Sequence, residues 1–179
     1  MTTTPPTASD TGRLFLALWP DEALRLALVA WRDAWQWPAS AVLVRAEDLH
    51  LTLHFLGNVP VNRLPELMQE AGPPCEPFEL NLGHGELWPH GVAVLRPTEA
   101  DVVPPPLAKL HNALQRTLTR LALPTESRAF RPHITLARHA QAAAPPTQGS
   151  ALRWQVSSYA LVQSSPGKSG GYSVVRRYD

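Results

Sequence analysis

The stretches His50-Leu51-Thr52-Leu53-His54-Phe55-Leu56 and Phe130-Arg131-Pro132-His133-Ile134-Thr135-Leu136-Ala137-Arg138 carry one phrase twice: His, apolar, Thr, Leu. The chain holds only 7 His, so chance supplies about 0.03 copies of that phrase. In an extended segment, residues two apart share a face. His50 and Thr52 therefore look one way and Leu49, Leu51 and Leu53 the other, and His133 and Thr135 oppose Ile134 and Leu136 in the same manner. Apolar backs anchor both strands in a core, while polar fronts present two imidazoles and two hydroxyls to a shared groove.

Outward from the first phrase, residues 13–19 (RLFLALW) read as a buried strand. Pro20 opens a helix with Asp21 and Glu22 in its first turn and Leu24, Leu28, Trp31 and Trp35 on one stripe, ending near Trp37-Pro38. Residues 42–45 and 49–56 read as extended, the second in strict alternation, Gly57-Asn58 as a turn, and 62–71 as a short helix capped by Asn62. Strands over 78–82 and 92–95 flank a connection containing Gly and His. Leu107, Leu110, Leu114, Leu118 and Leu121 mark a second amphipathic helix, which Pro124 ends. Residues 133–137, 154–163 and 172–178 read as strands, the last two joined by a turn over 164–171. Helices and strands mix without the alternation of a doubly wound sheet, which predicts an α+β fold with antiparallel or mixed pairing.

At 179 residues, one domain over 12–179 is expected, with residues 1–11 as a disordered N-terminal tail. The formal net charge is +1, which excludes a strong global field for polyanions. The charge is unevenly spread: residues 1–119 carry 8 basic and 13 acidic side chains, and 120–179 carry 8 and 2. Cys75 is the only cysteine, so neither an intramolecular disulfide nor a Cys-based metal cage can form. The start has no basic and apolar leader, and no apolar run approaches membrane-spanning length. A cytoplasmic protein without membrane contact is expected.

Two imidazoles suit concerted acid–base work, because histidine titrates near pH 6.5, so one ring can be neutral while the other is protonated. In phosphoester cleavage one ring takes a proton from the attacking oxygen and the other gives one to the leaving oxygen opposite. The two Thr hydroxyls and an Arg can hold the non-bridging oxygens.

The paired phrase, the segment 130–138 and the context HLTLHFLGNV closely resemble the two-histidine phosphoesterases, specifically the RNA 2′,3′-cyclic phosphodiesterases once called 2′-5′ RNA ligases. That resemblance runs from Arg13 to Tyr178. It implies a two-lobed, pseudo-two-fold fold with a central groove and helices outside. It also implies hydrolysis of a terminal 2′,3′-cyclic phosphate to a 2′-phosphate without metal or other cofactor. By the same resemblance His50 protonates the departing 3′ oxygen, His133 activates water, and Thr52 and Thr135 hold phosphate oxygens. Phe55 and Arg138, each five residues after a motif His, match the family's base-facing and phosphate-contacting positions. Strict alternation turns both away from the histidine face, so either the strands bulge there or the two contacts are misassigned.

Partners implied are RNA ends or small cyclic-phosphate nucleotides, with no protein partner and a monomeric state. A second reading of another class is a non-catalytic RNA-end-binding module, served by the basic final third and by Phe55 and Trp88. Within the enzyme class, 2′-5′ ligation and cleavage of other cyclic or 2′-5′-linked phosphates stay open. His84, His90, His111 and His139 read as structural, and His54 takes no catalytic role although alternation faces it with His50. A zinc site from His50 and His54 is disfavoured, since they lie about 13 Å apart on a strand. Gly167-Lys168-Ser169 reads as a hairpin turn and Cys75 as a structural residue.

Overall fold

Apolar residues at 14, 16 and 18 give β1 (Thr11–Leu18) a buried back. In the helix that follows, α1 (Glu22–Asp33), the Asp21 carboxylate accepts the Leu24 N–H at 2.8 Å, a side-chain N-cap. The chain continues through β2 (Val42–Leu43), β3 (Leu51–Pro60), α2 (Leu64–Glu70), β4 (Phe78–Trp88) and β5 (Val92–Pro97). It closes with α3 (Pro105–Arg120), β6 (Ile134–Arg138), β7 (Leu152–Val156), β8 (Tyr159–Ser165) and β9 (Gly171–Tyr178). This computed structural model describes residues 11–70, 72–147, 149–165 and 170–179. Residues 1–10 of the expected tail and the Gly167-Lys168-Ser169 turn lie outside the described residues, and Thr11 already belongs to β1.

The strands pair in the order β7-β4-β5-β6-β3-β1-β8-β9, with β2 on β6, and every pairing is antiparallel. The fold is α+β, as expected, and the choice left open between antiparallel and mixed pairing falls to antiparallel. Read outward from the middle, β3-β1-β8-β9 and β6-β5-β4-β7 are two four-stranded halves. Each contains a strand-helix-strand unit, β1-α1-β3 and β5-α3-β6, that carries one copy of the His phrase. The halves meet through one pair, Leu51 opposite Ile134. Both side chains are fully buried. One residue to either side, antiparallel register sets His50 opposite Thr135 and Thr52 opposite His133, all four on the face opposite that pair. A pseudo-two-fold axis therefore passes through the junction and relates the two histidines.

The strict alternation expected over 49–56 does not hold. β1 pairs Leu16 with His54 and Ala17 with Thr52, leaving Leu53 as an extra residue; β5 pairs Val94 with Thr135 and Ala93 with Ala137, leaving Leu136 extra. Each copy of the phrase thus ends in a bulge on its own Leu, and the burial sequence of the five residues from Leu51 and from Ile134 is the same in both strands. A bulge reverses the faces of the residues beyond it. His54 turns into the core, correcting its expected place beside His50, whereas Phe55 and Arg138 turn outward. A second register shift at Leu56 and the left-handed φ of +71° at Gly57 let β3 run on to Pro60 where a turn was expected.

The helices cover the convex side, where Leu28 and Trp31 of α1, Leu67 of α2 and Leu107, Leu114 and Leu118 of α3 pack on Leu14, Leu16, Leu51, Leu80, Leu82 and Leu95. A separate cluster of Phe15, Ala17, Trp19, Ala160 and Val162 occupies the concave side of one half. α1 stops at Asp33, short of Trp37, whose indole N–H instead donates to the Arg32 carbonyl at 3.0 Å, beside the Trp35 backbone N–H that donates to the same oxygen at 3.1 Å. β4 continues to Trp88 through the expected connection, and the single strand expected over 154–163 is two, parted at Ser157-Ser158. Ile134→Ala, at the junction, is expected to cost about 2–5 kcal/mol in urea unfolding with an unchanged m-value.

Candidate active site

Both motif histidines are the last residue before a strand, and both rings are held in the same way. The Nδ1–H of His50 donates to the Asp48 carbonyl at 2.6 Å, and the Nδ1–H of His133 donates to the Arg131 carbonyl at 2.7 Å. A carbonyl only accepts, so Nδ1 carries the proton in each neutral ring and Nε2 carries the lone pair. The Thr52 hydroxyl lies 3.1 Å from His50 Nε2 and donates to it in that tautomer. Two Nε2 atoms are thereby left as the proton-transfer atoms of a cleft of about 700 Å³ that both histidines and both threonines line.

Phe55 and Arg138 line the same cleft. The structure thus brings together all six residues named from sequence, and the two bulges resolve the conflict that alternation posed for Phe55 and Arg138. His54 reaches the cleft only from the core side: its Nε2–H donates to the His111 carbonyl at 2.9 Å, and its ring stacks on His111 at 4.0 Å, which in turn stacks on Phe130 at 4.0 Å. The Nε2–H of His54 is thus committed to the His111 carbonyl.

Around the histidines the pseudo-symmetry is broken chemically. His50 sits in an aromatic cradle, stacked on Trp19 at 5.3 Å with Phe15 at 5.0 Å and the edge of Tyr172 at 5.1 Å. His133 sits in an ionic one. Glu86 binds Arg96 at 2.8 Å and Arg131 at 3.3 Å, the Arg131 guanidinium lies 4.5 Å over Trp88, and Trp88 packs on His133 at 4.4 Å. Burial favours the neutral form of both rings and is the leading cause that lowers both pKa values. Beyond burial, the carbonyl that each ring binds pulls it back toward the charged form; the Asp48 carboxylate adds to that pull at His50 against the His133 charge, whereas Arg96, Arg131 and Arg138 oppose it at His133. Asp48 is itself held by Arg45, which also donates to the Gly170 carbonyl at 2.7 Å.

Sequence reading missed Trp19, Tyr172, Glu86 and Arg96. All four reach the histidines by lateral strand pairing, which no spacing along the chain reveals. His111, Glu126, Arg128 and Phe130 line the far wall of the cleft.

Residues 20–167 match the 2′-5′ RNA ligase superfamily. The RNA 2′,3′-cyclic phosphodiesterase of Escherichia coli K12 is 32% identical over 159 residues, 88% of this chain and 89% of that protein. Among solved structures, apo E. coli LigT superposes with a TM-score of 0.79 at 30% identity, covering 94% of this chain and 97% of that one. E. coli LigT complexed with 3′-AMP gives 0.78 at 29% with the same coverage. TT0787 of Thermus thermophilus gives 0.76 at 27%, covering 93% and 96%.

Burial also lowers His54, and it leads the causes that bring His111 from 6.5 down to about 4, with the neighbouring His54 charge second. Unfolded histidines bind protons near pH 6.5, while these four hold out to lower pH in the fold. Between the two values the unfolded state binds more protons, so stability rises with pH. Thermal unfolding should show a Tm that is flat above pH 6.5 and falls as pH drops toward 4. His111→Asn should flatten the lower part of that decline.

Proposed function

The chain belongs to the 2′-5′ RNA ligase superfamily, and on that premise we propose that it is an RNA 2′,3′-cyclic phosphodiesterase that opens a terminal 2′,3′-cyclic phosphate to a 2′-phosphate. The observation that carries the reading is the matched pair of imidazoles, each with Nδ1 held by a carbonyl and Nε2 facing one cleft. A binder of RNA ends needs cations and aromatic faces but no second proton-transfer group.

In this mechanism His133 Nε2 takes a proton from the attacking water as the water oxygen bonds to phosphorus. His50 Nε2–H gives its proton to the 3′ oxygen as the P–O3′ bond breaks on the opposite side. Thr52, Thr135 and Arg138 steady the non-bridging oxygens, where charge accumulates. Phe55 offers a face to the base. The division of labour follows the surroundings. The three arginines near His133 favour the form with a free lone pair, as a base requires, and Asp48 favours the protonated form of His50, as an acid requires. After turnover the two rings have exchanged protonation states and reset through solvent.

The same two groups can run 2′-5′ ligation or cleavage of other cyclic and 2′-5′-linked phosphates, so product analysis decides among these. No helix among the described residues is long and apolar enough to cross a membrane. The proposal includes action in the cytoplasm as a monomer on RNA ends or small cyclic-phosphate nucleotides.

With a nucleoside 2′,3′-cyclic phosphate in excess EDTA, the product should be the 2′-phosphate. Replacing either His50 or His133 with Ala should lower kcat/KM by about 10²–10⁴-fold. The kcat/KM profile of the free enzyme should be a bell. Its acid limb reports His133 losing a proton, its alkaline limb reports His50 losing one, and both histidines lie below 6.5. The maximum should therefore fall on the acid side of pH 6.5. A flat profile, a 3′-phosphate product or retained activity in either variant would refute this mechanism.

A further inference from the structure

Lateral pairing fixes which residues share the concave side of the half built from β3-β1-β8-β9. One row runs Thr52, Ala17, Ala160, Arg177; the next Phe55, Phe15, Val162, Val174; the next Asn58, Arg13, Ser164, Tyr172. The first row begins at a candidate phosphate contact and ends, three strand spacings or about 14 Å away, at an exposed arginine. On these rows two aromatic rings remain open, Phe55 at 40% and Tyr172 at 38% exposure, on either side of the buried Phe15 ring at 5.7 and 5.0 Å. The Arg13 guanidinium lies 5.7 Å over Phe55. Among the described residues neither Arg13 nor Arg177 forms an ion pair, and no carboxylate stands on the three rows. The opposite half mixes charges on its concave positions, where Glu79 and Glu86 of β4 stand with Arg96 of β5 and Arg153 of β7.

Sequence-tolerant recognition of a single strand combines cations that follow the phosphates with aromatic faces on which bases stack. Both are present here, continuous with the candidate catalytic cleft. Resting on the activity proposed above, we infer that this concave half is a track for single-stranded RNA on the 5′ side of the terminal cyclic phosphate. Phe55 and Tyr172 serve as stacking faces, and Arg13 and Arg177 hold backbone phosphates. The substrate class is then oligonucleotide ends in preference to free cyclic mononucleotides.

The test compares equilibrium binding of a mononucleotide 2′-phosphate with that of a tetranucleotide bearing the same 2′-phosphate end. Turnover of the matching cyclic phosphates is followed in parallel. The tetranucleotide should bind on the order of tenfold tighter or more. Arg13→Ala and Arg177→Ala should each remove much of that ratio and reduce the salt slope of oligonucleotide binding by about 1. Arg153→Ala, an equal charge change on β7 of the other half, should leave the ratio as it was. Equal affinity for the two lengths, a ratio insensitive to both arginines, or a ratio that falls with Arg153→Ala would overturn the track. Length-dependent binding without turnover of either cyclic phosphate would leave the track standing and overturn the proposed hydrolysis.

Discussion

The two four-stranded halves of the sheet, β3-β1-β8-β9 and β6-β5-β4-β7, are joined by one residue pair, and the position of the two histidines and two threonines follows from that pair. Leu51 and Ile134 face each other in the middle of the sheet with their side chains buried. Because facing residues in an antiparallel pair share a side, the polar neighbours on both strands must share the other side. No further device is needed to bring two imidazoles and two hydroxyls to one surface. The bulges at Leu53 and Leu136 then act as a second, local device. They let five consecutive residues supply both a core-facing pair and an outward side chain, which strict alternation forbids.

Symmetry of backbone is combined with asymmetry of charge. The acid–base pair comes from a repeated phrase, so the two rings are held by the same hydrogen bond at nearly the same length. Two identical groups would titrate together and neither would be committed to a role. An aromatic cradle around one ring and an arginine-rich cradle around the other make their surroundings unlike. Glu86 tempers that arginine cluster. Burial pushes its carboxyl up, but the hydrogen bond and charge of Arg96, with the charge of Arg131, outweigh burial and hold it below the usual carboxylate range.

How much was legible in the sequence depends on whether the signal was local. The His-apolar-Thr-Leu phrase is local, and it gave the two histidines, the two threonines and the side on which they lie. Phe55 and Arg138 were named from resemblance alone, in conflict with alternation. The physical cause, an extra residue in each strand, exists only relative to a partner strand. One trace of it is visible in hindsight, because Leu136-Ala137 places two core-type residues in succession before an arginine. His54 was misplaced for the same reason, since its polar character hides the equivalence to Ala137. Glu86, Arg96, Trp19 and Tyr172 are brought in by lateral pairing between segments far apart in the chain. The end of α1 lies earlier than expected because Trp35 continues the helical stripe in sequence while stacking on Trp37 outside the helix.

Each imidazole takes its orientation from a main-chain oxygen two residues upstream, where many catalytic histidines depend on a carboxylate side chain. Any amino acid at positions 48 or 131 brings the same oxygen, so point substitution there cannot delete the acceptor, although it can change the nearby charge. The tautomer is thus insulated from mutation, whereas the protonation balance is open to it. A lineage carrying this fold can drift in its pH response, one arginine or glutamate at a time, without losing the alignment that makes the two rings an acid and a base.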